Sequence, residues 1–203
     1  MLTTRRSLVA LVAICGALVL NAFVLSPLWI LAPAEAFSDT VAIAAFPWSQ
    51  RISWLLLTLL IPVIPAVLRA GGRGTPPAWV GPLVQITLAA QAATHFVQGF
   101  VMAWLLPLAP EVIDLTTDGG ALQIALFTIW LSFLVVNVLF AVTLWRAGHS
   151  RVGAGLMMVG AVVTPMFGPF GAGLLALGLT VIAVGALRSR TAAPERVLSP
   201  TTL

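Results

Sequence analysis

The feature that most constrains this chain is residues 8–31, which carry no charged side chain over more than the length needed to cross a bilayer. The hydrocarbon core is about 30 Å thick and a helix rises about 1.5 Å per residue, so about 20 apolar residues suffice. Five further apolar runs follow, at residues 52–68, 78–106, 121–145, 152–167 and 170–187. Water cannot be the main solvent of a chain that is 60% hydrophobic and only 8% charged, since soluble domains are about a quarter charged. A membrane barrel would require apolar and polar residues to alternate, whereas these runs are apolar on every side. The expected fold class is therefore all-α: a polytopic transmembrane helical bundle of six spans. It forms one domain over residues 1–190, followed by a disordered cytoplasmic tail at 191–203.

Charge placement orients the bundle, because cytoplasmic loops near membrane spans carry an excess of basic residues. With N- and C-termini in the cytoplasm, Arg5, Arg6, Arg69, Arg73, Arg146, Arg151, Arg188, Arg190 and Arg196 all fall inside. Arg51 alone falls outside, with Glu35, Asp39, Glu111, Asp114 and Asp118, while Glu195 falls inside. The first run begins like a secretory signal, and small-residue cleavage patterns lie at Ala32–Ala34 and Ala34–Ala36. Its apolar part exceeds the 7–15 residues of a signal core, which favours an uncleaved first span; cleavage would leave five. The basic residues are all Arg, a composition that suggests a GC-rich bacterial genome and hence a multi-pass protein of the bacterial inner (plasma) membrane.

Several function classes fall away. The net charge of +4 is explained by arginines at span ends, and no basic stripe with interleaved aromatics is present for nucleic acid. The lone Cys15 permits no disulfide and no CxxC metal pair. A membrane haem commonly needs two histidines at one depth, and the second, His149, lies in a loop. Ser132 lacks the flanking glycines of a serine-protease nucleophile, no HExxH run exists, and all six carboxylates lie outside the spans. No catalytic motif is therefore found, an intramembrane enzyme ranks behind the other function classes, and no cofactor or metal site is expected. Glu111, Asp114 and Asp118 are read as a solvated outer loop, with Thr117 or Asp118 capping the fourth span, in preference to a cation site.

One segment resists the bland reading. In LAAQAATHFVQGF, residues 88–100, and the residue before it, the polar side chains Thr87, Gln91, Thr94, His95 and Gln98 fall within about 100° of one another on a helix. Ile86, Ala89, Ala93, Val97 and Phe100 occupy the opposite side. An unsatisfied polar group costs several kcal/mol in hydrocarbon, so the polar face must turn into the bundle. Asn21, Thr58, Ser132 and Asn137 are expected at similar depth as its partners. Two readings follow: a midplane ligand-binding or transport site built on Gln91, His95, Gln98, Thr94, Asn21 and Asn137, taking a small polar solute; or hydrogen-bond glue in an accessory or assembly subunit. Beyond the lipid bilayer, the expected partners are a second copy of the chain or another membrane protein.

Spacing also speaks to packing. Gly153 and Gly160 lie seven apart, as do Gly171, Gly178 and Gly185, which predicts close approach of the last two spans as a hairpin. Pro165 and Pro169 are expected to end those helices at the outer turn. Pro62 and Pro65 should bend the second span. Residues 32–51 are expected along the outer interface, with a short helix among them and Trp48 as an interfacial anchor.

Overall fold

In the computed structural model, residues 4–70, 74, 76–117 and 119–191 are described; of the tail expected at 191–203, Thr191 ends the last helix and residues 192–203 lie outside the described residues, as does Asp118. Among the described residues helix accounts for 83%, and no strand occurs. The helices are α1 (Thr4–Ile30), α2 (Phe37–Ala42), α3 (Ala45–Leu60), α4 (Ile64–Ala70), α5 (Val80–Phe96), α6 (Pro110–Asp114), α7 (Ala121–Arg146), α8 (Arg151–Phe167) and α9 (Pro169–Thr191). A π-helical turn at Asn21–Leu25 interrupts α1, and another at Val97–Met102 extends α5 to Leu105.

By length and composition, the expectation of six spans is met in part. Three helices, Thr4–Ile30, Gln123–Arg146 and Pro169–Ser189, are long and apolar enough to cross a membrane, and a fourth if α3 and α4 count as one crossing bent by 45°. The physical reasons differ for the other two. Helix α8 has 17 residues, about 25 Å, against a hydrocarbon thickness of about 30 Å. The α5 run is diluted by Gln85, Gln91, His95 and Gln98.

Six helices nonetheless form a ring. Contacts pass in turn from α1 to α3, α5, α7, α8 and α9, and α9 closes the circle against α1. Leu8, Leu11 and Cys15 of α1 are fully buried in the core with Ile64, Phe140, Leu144, Met157 and Ile182, so the first helix is a structural member of the bundle.

The glycine expectation holds for four of five positions. A methyl group at Gly178 would lie 2.5 Å from the Gly153 carbonyl oxygen, and one at Gly160 would lie 2.5 Å from the Leu175 nitrogen. Gly171 abuts the Thr164 backbone, and Gly153 abuts Gly178. Gly185 faces open space and plays no part. The turn between α8 and α9 is tighter than expected: Pro165 lies inside α8, Pro169 is the first residue of α9, and Gly168 alone joins them. Its φ of +44° is a conformation that favours glycine.

The proline bend in the second segment falls where expected, between Leu60 and Ile64. Pro65 has no N–H for the Ile61 carbonyl, and Gln85 Nε2 of α5 donates to that oxygen instead, at 3.0 Å. A polar side chain of α5 thus fixes the kink in its neighbour.

Helix α3 begins at Ala45, not at residue 52 as the sequence suggests, so Ser49, Gln50 and Arg51 lie within it. The Arg51 charge is accommodated by cation–π contacts with Trp48 (5.2 Å) and Phe100 (4.9 Å), and its Nε donates to the Gly99 carbonyl at 2.8 Å. Gly99 permits this approach, because a methyl there would stand 3.0 Å from the Arg51 nitrogen.

At the same end, α2 and α6 form a cap over a small apolar cluster of Val41, Phe46, Met102 and Ile113. Asp114 clasps the two together, accepting from the Ser38 backbone N–H (2.7 Å) and hydroxyl (3.0 Å). Thr117 does not cap α7 as expected; its hydroxyl donates to the Asp114 carbonyl, and Gly120 stands at the cap position without a side-chain bond.

Candidate functional site

The α5 face predicted to be polar does point inward. Thr87, Gln91 and Thr94 are buried, whereas Ile86 on the opposite side is 67% exposed. Its partner is one face of α3. Phe46, Ser49, Gln50, Ser53, Leu57 and Leu60 recur at helical spacing along that helix, and all of them line a cavity of about 250 Å3 between the six ring helices.

His95 links α5 to α3 through Nδ1 and meets Gln91 of its own helix through Nε2. His95 Nδ1 is hydrogen-bonded to Gln50 Oε1, and Gln91 Nε2 lies 3.5 Å from His95 Nε2. One assignment satisfies both contacts: a neutral imidazole donates through Nδ1–H to Gln50 and accepts at Nε2 from Gln91. Gln98, the next polar residue along the face, also lines the cavity.

Asn21 supplies the α1 side. Its Nδ2 donates to the Ser49 carbonyl at 3.0 Å and to Ser53 Oγ at 2.8 Å. The Asn21 backbone carbonyl accepts from the Ser26 backbone N–H, five residues on, at 3.0 Å and from the Ser26 hydroxyl at 3.1 Å. Ser26 and Ser49 hydroxyls are in turn 3.2 Å apart. Both π-helical turns therefore flank the same stretch of α3, a placement common at functional sites because the wider turn re-aims side chains and frees carbonyls.

Buried polar groups are nearly always paired, so the exceptions carry information. Among the described residues, four buried side-chain atoms have no partner: Asn21 Oδ1, Gln91 Oε1, Trp29 Nε1 and His149 Nε2. The first three belong to residues that line the cavity. The remaining wall is apolar, with Leu18, Leu88, Phe133, Leu175 and Leu179 among its members.

Of the residues expected at the site, the structure brings together Gln91, His95, Gln98 and Asn21. It does not bring in Thr94, whose hydroxyl donates to the Ala90 carbonyl at 3.2 Å, or Asn137, whose Nδ2 donates to the Phe133 carbonyl at 2.7 Å. Thr58 and Ser132, expected in the same polar layer, are exposed, and Thr58 donates to the Trp54 carbonyl within its own helix. Sequence reasoning missed Ser49, Gln50, Ser53 and Trp29. No group of three or more His, Cys, Asp or Glu side chains suited to a metal occurs among the described residues.

His149 stands apart, in the short connection between α7 and α8, where burial pushes its imidazole below the usual histidine value of about 6.5. The unfolded chain then takes up a proton before the folded one does. Stability from this group is full above about pH 6.5 and declines as the pH falls below that value. The variant His149→Gln is expected to flatten the fall of Tm between about pH 7 and pH 5, measured by thermal unfolding in detergent. An unchanged acid slope would remove His149 as its source.

No protein-family model, curated protein or solved structure matches this chain, so its functional reading rests on the geometry of the cavity.

Proposed function

We propose that this chain is a small multi-pass membrane protein that binds or transports a small molecule in the cavity between its ring helices. The observation that carries this reading is the set of unpartnered buried polar atoms on Asn21, Gln91 and Trp29 around one mostly apolar chamber. A chamber lined chiefly by hydrophobic side chains, with a few convergent polar groups, has the usual form of a small-molecule site. Hydrogen-bond glue alone would leave no such atoms, since its purpose is to pair them. The alternative, an accessory or assembly subunit, draws support from the Asn21–Ser49–Ser53 bonds, which do join helices.

The ring supports six crossings, with α8 and the α5 run completing the bundle beside the longer helices. Arg5, Arg6, Arg69, Arg146, Arg151 and Arg188 fall at the helix ends that alternate threading brings to one side, which supports a cytoplasmic N-terminus. The Arg-only basic composition supports a bacterial plasma membrane.

The test is to purify wild type, His95→Ala and Gln91→Ala from the producing membrane and to measure co-purifying small molecules by mass spectrometry, with thermal unfolding alongside. A bound species lost by about tenfold from both variants, while each still unfolds cooperatively, is expected. Equal small-molecule content in all three, with loss only of assembly in the variants, would favour the accessory reading instead.

A further inference from the structure

We propose that the occupant of this cavity is an uncharged, apolar-bodied molecule whose head donates a hydrogen bond to Asn21 Oδ1, as a hydroxyl or an amide N–H does; the proposal rests on the ligand-binding reading of the same site. The orientation of Asn21 is fixed by chemistry. Its Nδ2 meets the Ser49 carbonyl, which can only accept, so the other end of the amide is an acceptor. That oxygen has no protein partner, on a residue only 5% exposed. Asn21 therefore calls for a donor.

Gln91 is more permissive. It is 3% exposed, and its Oε1 is unpartnered while its Nε2 faces the imidazole. If Gln50 and Gln91 turn over together and His95 moves its proton to Nε2, every bond of the chain is kept and Gln91 presents an N–H in place of an oxygen. The relay lets this wall match either a donor or an acceptor on the ligand. Trp29 Nε1, the third unpartnered atom, lies eight residues and about 12 Å along α1 from Asn21 and offers a donor to a second polar atom farther along the occupant.

Neutrality follows from the wall. Among the described residues, no Asp, Glu, Lys or Arg lines the cavity. A carboxylate or ammonium head would lose its hydration and gain no counter-charge, a penalty that hydroxyl and amide heads escape. The apolar wall formed by Leu18, Leu57, Leu88, Phe133 and Leu179 suits an alkyl or ring body.

The test uses the full chain in lipid nanodiscs with four probes of one chain length: 1-decanol, decyl methyl ether, decylammonium and decanoate. Affinities are read from thermal stabilisation and corrected for partition into the lipid. Decanol is expected to bind about tenfold or more tightly than the ether, because the ether leaves Asn21 Oδ1 unpaired, and more tightly than either ion. In Asn21→Leu the preference for decanol over the ether should vanish. Should that variant fail to assemble, Asn21→Ala supplies the comparison, since it too removes Oδ1, and the same loss of preference is expected. Equal affinity for decanol and the ether, or tightest binding of a charged probe, would overturn the head chemistry while leaving a ligand site in place. If none of the four stabilises the protein, the head chemistry and the ligand-binding reading fall together.

Discussion

Replacing Gly178 with leucine is expected to lower stability by about 3 kcal/mol or more, the upper end of what overpacking costs. The reason is the nature of the obstacle. A methyl at this position would stand 2.5 Å from the Gly153 carbonyl oxygen and 2.8 Å from the Met157 nitrogen, both of them backbone atoms that cannot rotate aside. Helices α8 and α9 would have to separate, and the loss of close packing along the hairpin would follow. Gly185 provides the control on the same heptad spacing. It meets nothing within 4 Å, so Gly185→Leu is expected to change stability by no more than about 0.5 kcal/mol. Thermal unfolding of the two variants in one detergent makes the comparison, and equal Tm values would remove the close-packed seam from the account.

The second large effect is expected at Gln50. Gln50→Leu should destabilise the bundle by about 2 kcal/mol, more than the hydrogen bond alone is worth. Interhelical hydrogen bonds in membranes average about 0.6 kcal/mol, whereas a buried donor left without a partner costs about 1–3 kcal/mol. The cost of the stranded donor dominates, because removing Gln50 Oε1 leaves His95 Nδ1–H beside a leucine. The double variant Gln50→Leu with His95→Phe removes both ends of the bond and should recover at least half of the loss. Additive losses in that cycle would show that Gln50 and His95 act independently.

The sequence makes one wall of the site legible and hides the other, for reasons specific to each helix. On α5, Gln91, His95 and Gln98 interrupt an otherwise apolar segment at helical spacing, so both the face and its inward direction can be read. Asn21 is visible for the same reason. On α3, the neighbouring Arg51 marks what looks like the end of a span, and Ser49 and Gln50 are lost with the assumed loop. A signal was present: Phe46, Ser49, Gln50, Ser53, Leu57 and Leu60 share one helical face, continuous across the charge. Arg51 is tolerated inside the helix because Trp48, Phe100 and the Gly99 carbonyl receive it, and the contacts with Phe100 and Gly99 are long-range.

Asn137 and Thr94 illustrate the converse error. Both have the depth and polarity expected of site residues, yet each is satisfied by a carbonyl of its own helix, four residues earlier. Residue type and depth do not distinguish a side chain that folds back onto its helix from one that reaches across. Glycine spacing has the same limit. Gly178 and Gly185 are equivalent in the sequence, and only the position of α8 separates them.

The central claim is that the polar face of α5 lines an interior chamber while its apolar face meets lipid. Spin labels on single cysteines, in a Cys15→Ser background, report it directly through oxygen accessibility in a bilayer. Labels at Ile86, Ala89 and Ala93 should show the high oxygen accessibility of acyl chains, and a label at Gln98 should be shielded. Equal accessibility at all four positions, or the reverse order, would contradict the account.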